Sequence, residues 1–131
     1  MTAPRRRRIL VIEDEAQVAT LLRRGLEAIG YDVEITATGD LGLAEAQAHQ
    51  PDLVILDLRL PDRSGYEVCK ALRQLYHSWI VPVVMLTGLD RPIDQLRGYA
   101  HGADAYVTKP FQFEELREVI TLLLGETAAT T

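Results

Sequence analysis

Short runs of consecutive apolar residues alternate along the chain with segments in which apolar residues recur every three or four positions. A short continuous run is typical of a strand buried on both faces, and the longer spacing is typical of an amphipathic helix. The clearest run ends on Asp57 and is followed by turn-forming residues. The pattern predicts five strands, at residues 9–12, 32–37, 53–57, 81–86 and 105–107. It also predicts five helices, at residues 18–29, 39–50, 66–76, 93–100 and 116–123.

The order of these segments predicts the fold. Strands that alternate with helices favour a parallel sheet with helices on both faces. Right-handed crossovers place the first and third strands side by side. Apolar and polar residues alternate at 32–37, which indicates an edge strand with one wetter face. The predicted fold is therefore α/β and flavodoxin-like, a doubly wound (βα)5 domain whose five-stranded parallel sheet has the order 2-1-3-4-5.

Length and composition fit one globular domain. The chain has 131 residues, of which 47% are hydrophobic and 25% charged, and this is enough for a substantial core. We expect a basic tail at residues 1–7, a folded domain at 8–124 and a C-terminal tail or the start of a linker at 125–131. Since this length leaves no room for an effector domain, we expect either a stand-alone protein or a fragment of a larger one.

Charge and cysteine content narrow the class of function. A net charge of −5 disfavours direct nucleic-acid binding, and we expect the arginine run at 5–8 to be solvated. The single cysteine, Cys69, excludes an internal disulfide and a cysteine-based metal cluster, and it is typical of a reducing compartment. No apolar run approaches the roughly 18 residues of a membrane span, and the run at 9–12 is too short for a secretory signal. We therefore expect a cytoplasmic protein with no membrane partner.

Polar side chains stand at the predicted carboxyl ends of four strands. Glu13 and Asp14 follow the first strand, Asp57 ends the third, Thr87 follows the fourth and Lys109 follows the fifth. These ends meet at the edge where open α/β sheets bind ligands. Two carboxylates roughly 4 Å apart repel by about 4 kcal/mol at an effective dielectric of 20, so the cluster requires a cation. Hard oxygen ligands favour Mg²⁺ or Mn²⁺ over zinc.

These groups suit the transfer of a phosphoryl group to a carboxylate. A divalent cation and Lys109 would offset the charge of the incoming group while Asp57 attacks phosphorus. The Thr87 hydroxyl and Lys109 can then hold phosphoryl oxygens. Gly88 has no side chain and leaves the approach to Asp57 open. We interpret Asp57 as a nucleophile for phosphoryl groups.

Each residue also has a simpler interpretation. Asp57 could cap a turn, and the acidic residues at 13–15 could cap the helix that follows them. Thr87 could satisfy buried backbone groups, and Lys109 could be an ordinary surface lysine. The convergence of all of them on one predicted sheet edge favours the chemical interpretation.

Four motifs stand in order along the chain: Ile-Glu-Asp-Glu at 12–15, Asp-Leu-Arg-Leu-Pro-Asp-Arg-Ser-Gly at 57–65, Met-Leu-Thr-Gly at 85–88 and Gly-Ala-Asp-Ala-Tyr-Val-Thr-Lys-Pro-Phe at 102–111. Together they resemble the receiver domains of two-component response regulators, and the resemblance runs from Arg8 to about Leu124. The resemblance implies a cis peptide bond between Lys109 and Pro110, which X-Pro bonds allow.

The resemblance also implies roles in binding and chemistry. Asp57 would be the phosphoacceptor, and Lys109 would bind the phosphoryl group. Asp14, Asp57 and the backbone carbonyl of Arg59 would ligate magnesium, and Glu13 would act on the ion through water.

A second set of roles concerns the switch. Thr87 would move toward the phosphoryl group, and Tyr106 would turn into the space that Thr87 vacates, although Tyr106 could also be a plain half-buried strand aromatic. In receivers the positions of Arg59 and Leu89 flank the acyl phosphate. We expect Leu89 to restrict the attacking water, and Arg59 to pair with pocket acids or a partner.

We therefore predict a phosphoacceptor signalling switch in a two-component phosphorelay. A sensor histidine kinase or a histidine phosphotransfer protein would donate the phosphoryl group. The surface formed by the fourth helix, fifth strand and fifth helix would then change shape for a downstream effector domain or protein, or for a homodimer. The protein would not be a classical enzyme, although it would catalyse its own aspartyl phosphorylation and autodephosphorylation.

Other functions stay open. In receivers joined to winged-helix DNA-binding domains we expect charged partners where Gln95, Ala105 and Val119 stand, which disfavours that subfamily. A phosphorylation-independent interaction scaffold is the main alternative, and the complete set of pocket residues disfavours it. A haloacid-dehalogenase-type phosphatase needs a second aspartate two residues after the nucleophile, where this chain has Arg59.

Overall fold

A computed structural model describes residues 6–75 and 80–126. Its strands are Arg8–Ile12 (β1), Asp32–Thr36 (β2), Leu53–Leu56 (β3), Val83–Thr87 (β4) and Ala105–Thr108 (β5). Its helices are Ala16–Ala28 (α1), Gly39–Ala48 (α2), Gly65–Leu75 (α3), Pro92–Ala100 (α4) and Phe113–Leu123 (α5). Most of the predicted basic tail, the end of the predicted third helix and residues 127–131 lie outside the described residues. No helix in the described ranges is long and apolar enough to span a membrane.

The sheet confirms the predicted topology. All four strand pairings are parallel, and the strand order is β2-β1-β3-β4-β5. β3 is buried at every position and lies between β1 and β4, so the residue that follows it stands at the centre of the carboxyl edge. β2 is the predicted edge strand, with alternating exposed and half-buried positions over its first four residues.

An apolar cluster lies on each face of the sheet because successive side chains along a strand point to opposite faces. On one face, Val11 of β1 joins Leu22 of α1 and Leu116 of α5. On the other face, the next residue, Ile12, joins Val68 of α3. The sheet is therefore a central layer between helices, and its carboxyl edge stays open for a site.

The observed ends of the elements differ from the predicted ones by up to three residues, and for two elements the cause is visible in the structure. β4 begins at Val83 rather than at residue 81, because Pro82 has no backbone N–H to donate to the sheet. The Pro82 carbonyl still accepts a hydrogen bond from the N–H of Val54 at 2.9 Å. α2 ends at Ala48, since the chain before Pro51 is already extended at His49, where φ is −138°.

α4 presents its apolar residues to solvent. The spacing of Ile93, Leu96 and Tyr99 predicts this helix, yet these side chains are 45%, 64% and 48% exposed. The buried positions of α4 are Asp94 and Gly98. Apolar periodicity therefore locates the helix, but it marks the exposed face of that helix.

Candidate functional site

The structure brings the predicted acidic residues and Lys109 together at the carboxyl edge of the sheet. The Lys109 Nζ atom lies 2.8 Å from Glu13 Oε1, 2.8 Å from Glu15 Oε1 and 3.3 Å from Asp57 Oδ2. Glu13 and Asp57 are only 3% and 4% exposed. One ammonium group therefore contacts three carboxylates, two of which are buried.

The backbone around Asp57 is fixed on both sides. Its N–H donates to the Ile12 carbonyl at 3.0 Å, which extends the β1–β3 pairing by one residue. Its Oδ1 atom accepts from the backbone N–H of Arg59 at 3.2 Å, so the chain folds back over the carboxylate. Gly65 comes so close that a Cβ atom there would lie 2.4 Å from the Asp57 carbonyl oxygen. The turn after β3 therefore requires glycine at this position.

Charge and burial raise the pKa values of both Lys109 and Glu13 above their ordinary values. Burial alone would lower the pKa of Lys109, but its contacts with Glu13, Glu15 and Asp57 raise that pKa well above its ordinary value. Burial raises the pKa of Glu13 to about 7, although Lys109 and the backbone N–H of Glu15 act in the opposite direction. Lys109 is therefore a permanent positive charge at neutral pH, and Glu13 is harder to ionise than an ordinary glutamate.

The acidic residues form a donor set that fits a hard divalent cation. Glu13, Asp14 and Asp57 each offer a carboxylate oxygen, and these atoms all lie within 4.8 Å of one another. Asp14 is exposed and the other two are buried, so the set can be reached from solvent. Carboxylate oxygens at such spacing suit Mg²⁺ or Mn²⁺.

A cavity of about 620 Å³ opens above these groups. Its polar lining consists of Asp14, Glu15, Asp57, Arg59, Thr87 and Lys109. Gly88 also lines it, and no atom lies within 4 Å of the Cβ position there, so there is open space beside this residue. The cavity lining also includes the apolar residues Val18, Leu21, Pro110 and Phe111. The site therefore offers both charged and apolar surface.

The two residues expected to form a switch meet at the backbone of Leu89. Thr87 is fully buried, and its Oγ1 atom accepts from the Leu89 N–H at 3.4 Å. The Tyr106 hydroxyl donates to the Leu89 carbonyl at 2.6 Å. Leu89 does not line the cavity, and its side chain packs against the apolar cluster that contains Ile12. Any movement of Thr87 or Tyr106 would thus act on the segment that leads into α4.

Most predicted site residues converge, and the structure adds one. Glu15, considered above only as a possible helix cap, has no side-chain capping bond and contacts Lys109 instead. Those two residues are 94 positions apart, so no local pattern reports their contact. The peptide bond between Lys109 and Pro110 is cis, as predicted.

Comparisons with known proteins agree with this geometry. A family model described as the response regulator receiver domain matches residues 9–121. The alkaline phosphatase synthesis transcriptional regulatory protein PhoP of Bacillus subtilis is 42% identical over 118 residues, which are 90% of this chain and 48% of that protein. The phosphate regulon transcriptional regulatory protein PhoB of Rhizobium meliloti is 42% identical over 117 residues, which are 89% of this chain and 52% of that protein. The chain thus spans about half the length of these curated relatives.

Solved structures are similar over nearly the whole chain. A CheY-like response regulator receiver domain protein from Methanospirillum hungatei has a TM-score of 0.86 and 31% identity, covering 92% of this chain and 95% of its own. The BeF3-activated receiver domain of DrrB has a TM-score of 0.84 and 31% identity, covering 93% of this chain and 100% of its own. The similarity therefore includes the fold and a substantial share of the residues.

Proposed function

This chain belongs to the receiver domain family of response regulators, and from that membership we propose that it is a phosphoacceptor switch of a two-component phosphorelay. Asp57 accepts a phosphoryl group from a sensor histidine kinase or a histidine phosphotransfer protein. The observation that carries this proposal is the contact of the Lys109 ammonium with Asp57 and Glu13 beside an open cavity. Burying charged groups costs desolvation free energy, and clusters of such groups in a cleft are typical of functional sites.

The chain's own residues supply the parts that phosphoryl transfer needs. One Asp57 carboxylate oxygen attacks phosphorus, the P–N bond of the phosphohistidine donor breaks, and the departing imidazole takes up a proton. Lys109 holds a phosphoryl oxygen by a charge-assisted hydrogen bond, and Thr87 offers its hydroxyl to another. Gly88 leaves space for the incoming group. Hydrolysis by water at phosphorus later returns the free Asp57 carboxylate.

The acidic cluster would hold the cation that this reaction requires. Asp14, Asp57 and the backbone carbonyl of Arg59 are the proposed ligands of Mg²⁺ or Mn²⁺, with Glu13 acting through water. When bound, the cation would offset negative charge on the phosphoryl oxygens. The proposal is supported by the spacing of the three carboxylates, which lie within 4.8 Å of one another.

The proposed output lies on the α4–β5–α5 face. Phosphorylation adds charge and acceptor oxygens next to Thr87, and Thr87 and Tyr106 both bond to the backbone of Leu89. A shift of Thr87 would therefore change the balance between two packings of the segment before α4. A downstream effector domain or protein, or a second copy of the chain, would distinguish the two packings.

Intact-mass spectrometry after incubation with acetyl phosphate and Mg²⁺ tests the proposal. We expect the wild-type protein to gain the mass of one phosphoryl group, and we expect the gain to disappear with EDTA or with Asp57→Asn. Asp52→Asn is the control for loss of a carboxylate away from the site, because Asp52 lies at the opposite end of β3 from Asp57. Absence of any mass gain in wild type would favour the scaffold function and contradict the switch.

A further inference from the structure

The loop between β3 and α3 rests on the first residues of α2. Asp62, near the tip of this loop, uses both carboxylate oxygens: Oδ1 accepts from the Gly39 N–H and Oδ2 from the Asp40 N–H, each at 2.8 Å. These hydrogen bonds, with Asp40 the stronger partner, lower the pKa of Asp62, so the ionised carboxylate is the form that binds the helix. The contact joins chain segments that are more than 20 positions apart.

A second contact joins the same two segments, and in it the loop supplies the donor and α2 supplies the carboxylate. Arg63 Nη2 lies 2.8 Å from Asp40 Oδ1. The two segments are so close that a Cβ atom on Gly39 would lie 2.7 Å from Arg63 Cγ and 2.8 Å from Val68 Cγ2. The loop and the start of α2 therefore form a fitted contact with two polar connections.

α2 already has a cap of its own. The Thr38 hydroxyl accepts from the Leu41 N–H at 3.1 Å, which is the ordinary N-cap bond. Asp62 takes two further N–H groups of the same helix end, at Gly39 and Asp40. Its bonds thus fix the position of the loop against the helix in addition to supporting the helix itself.

The other end of this loop carries proposed cation ligands. The Arg59 N–H donates to Asp57 Oδ1 at 3.2 Å, Arg59 pairs with Ser64 in an antiparallel bridge, and the Gly65 N–H donates to the Leu58 carbonyl at 2.9 Å. These bonds tie the short loop into one closed unit that contains both Asp62 and Arg59. Releasing Asp62 from α2 would therefore allow the whole unit, including the backbone at Arg59, to move.

We propose that Asp62 is a positioning residue for the divalent-cation site. Its hydrogen bonds to α2 fix the loop whose Arg59 carbonyl is one of the proposed ligands, and Asp62 itself is not one of those ligands. The inference rests on the proposed function, because the cation site is the one assigned there. It assigns a role in cation affinity to a residue outside the cavity lining.

Calorimetric titration of the full chain with MgCl₂ tests the inference. Loss of a group that orients metal ligands typically weakens metal affinity by about tenfold or more, and we expect Asp62→Ala to do so. Asp62→Asn keeps one acceptor oxygen and should give an intermediate loss. Asp40→Asn is the matched control, because it removes one negative charge and the Arg63 ion pair while both N–H bonds to Asp62 persist.

The possible results separate this inference from the proposed function. If wild type binds no Mg²⁺, the proposed function fails and the inference fails with it. If wild type binds Mg²⁺ and both Asp62 variants bind it equally well, only the inference is overturned. An equal loss in Asp40→Asn and Asp62→Ala would also overturn it, since long-range charge would then explain the effect. Thermal unfolding in EDTA completes the test: a purely structural cap would lower the melting temperature without changing Mg²⁺ affinity.

Discussion

Lys109 carries the positive charge of the site at the scale of single residues. Its ammonium group contacts Glu13, Glu15 and Asp57, and only 14% of its side chain is exposed. Removing one partner of a buried ion pair typically costs about 3–5 kcal/mol, because the remaining charge loses its compensation. The Lys109 ammonium therefore offsets part of the repulsion among the three acids and lets them lie close together.

Glu13 makes the stability of the metal-free protein depend on pH. Its folded pKa of about 7 lies above the ordinary value of 4.5, so the folded chain holds this proton more tightly than the unfolded chain. The contribution of Glu13 to stability is thus complete below pH 4.5 and is lost as the pH rises through 7. We expect thermal unfolding in EDTA to show wild type losing stability relative to Glu13→Gln across this interval. Parallel pH profiles of the two proteins would contradict the assignment.

Two tyrosine hydroxyls hold the segment from β4 into α4 at the scale of elements. Tyr66 of α3 donates to the Asp94 carbonyl at 3.1 Å, and Tyr106 of β5 donates to the Leu89 carbonyl at 2.6 Å. Gly98 allows α4 to approach β4 and β5, since a Cβ atom there would lie 2.9 Å from Met85 Sδ. α4 is therefore positioned by two hydrogen bonds and one close approach, while its exposed apolar residues contribute little to its packing.

Gly98→Ala should disturb this arrangement. The added Cβ would lie 3.0 Å from the Tyr106 ring, so we expect the ring to shift and its bond to Leu89 to weaken. Overpacking of this kind costs about 1–3 kcal/mol, of which the better helix propensity of alanine returns about 1 kcal/mol. Urea unfolding measures the net loss, and Gly88→Ala is the control because no atom lies within 4 Å of its Cβ position.

A double-mutant cycle identifies the cause of that loss. If Gly98→Ala already displaces Tyr106, then Tyr106→Phe should cost less stability in the Gly98→Ala background than in wild type. Additive losses would show that the alanine acts elsewhere, for example on Met85 alone.

For the molecule as a whole, the fold could be predicted because its determinants are local. Buried parallel strands are continuous apolar runs, and their alternation with helices leaves few possible topologies. The same logic predicted the carboxyl edge of the sheet, since Asp57 directly follows a wholly buried strand. The family motifs added the cis bond before Pro110, which periodicity alone could not indicate.

The contacts that the sequence did not reveal are long-range and polar. Glu15 contacts Lys109, Asp62 binds the start of α2, and Tyr66 binds α4, and each pair joins distant parts of the chain. Such contacts depend on side-chain directions that only the assembled fold fixes. The exposed apolar face of α4 was missed for a related reason, because spacing reports that a face is apolar and does not report what covers it.

Reduction of the phosphorylated protein with borohydride, followed by peptide mass spectrometry, tests most directly that Asp57 is the phosphoacceptor. Borohydride reduces an acyl phosphate to an alcohol, so an aspartyl phosphate becomes homoserine. We predict homoserine at position 57 after treatment with acetyl phosphate and Mg²⁺, and unmodified peptides throughout in Asp57→Asn. Homoserine at position 14, or a stable phosphate on the hydroxyl of Thr87, would contradict the assignment of Asp57.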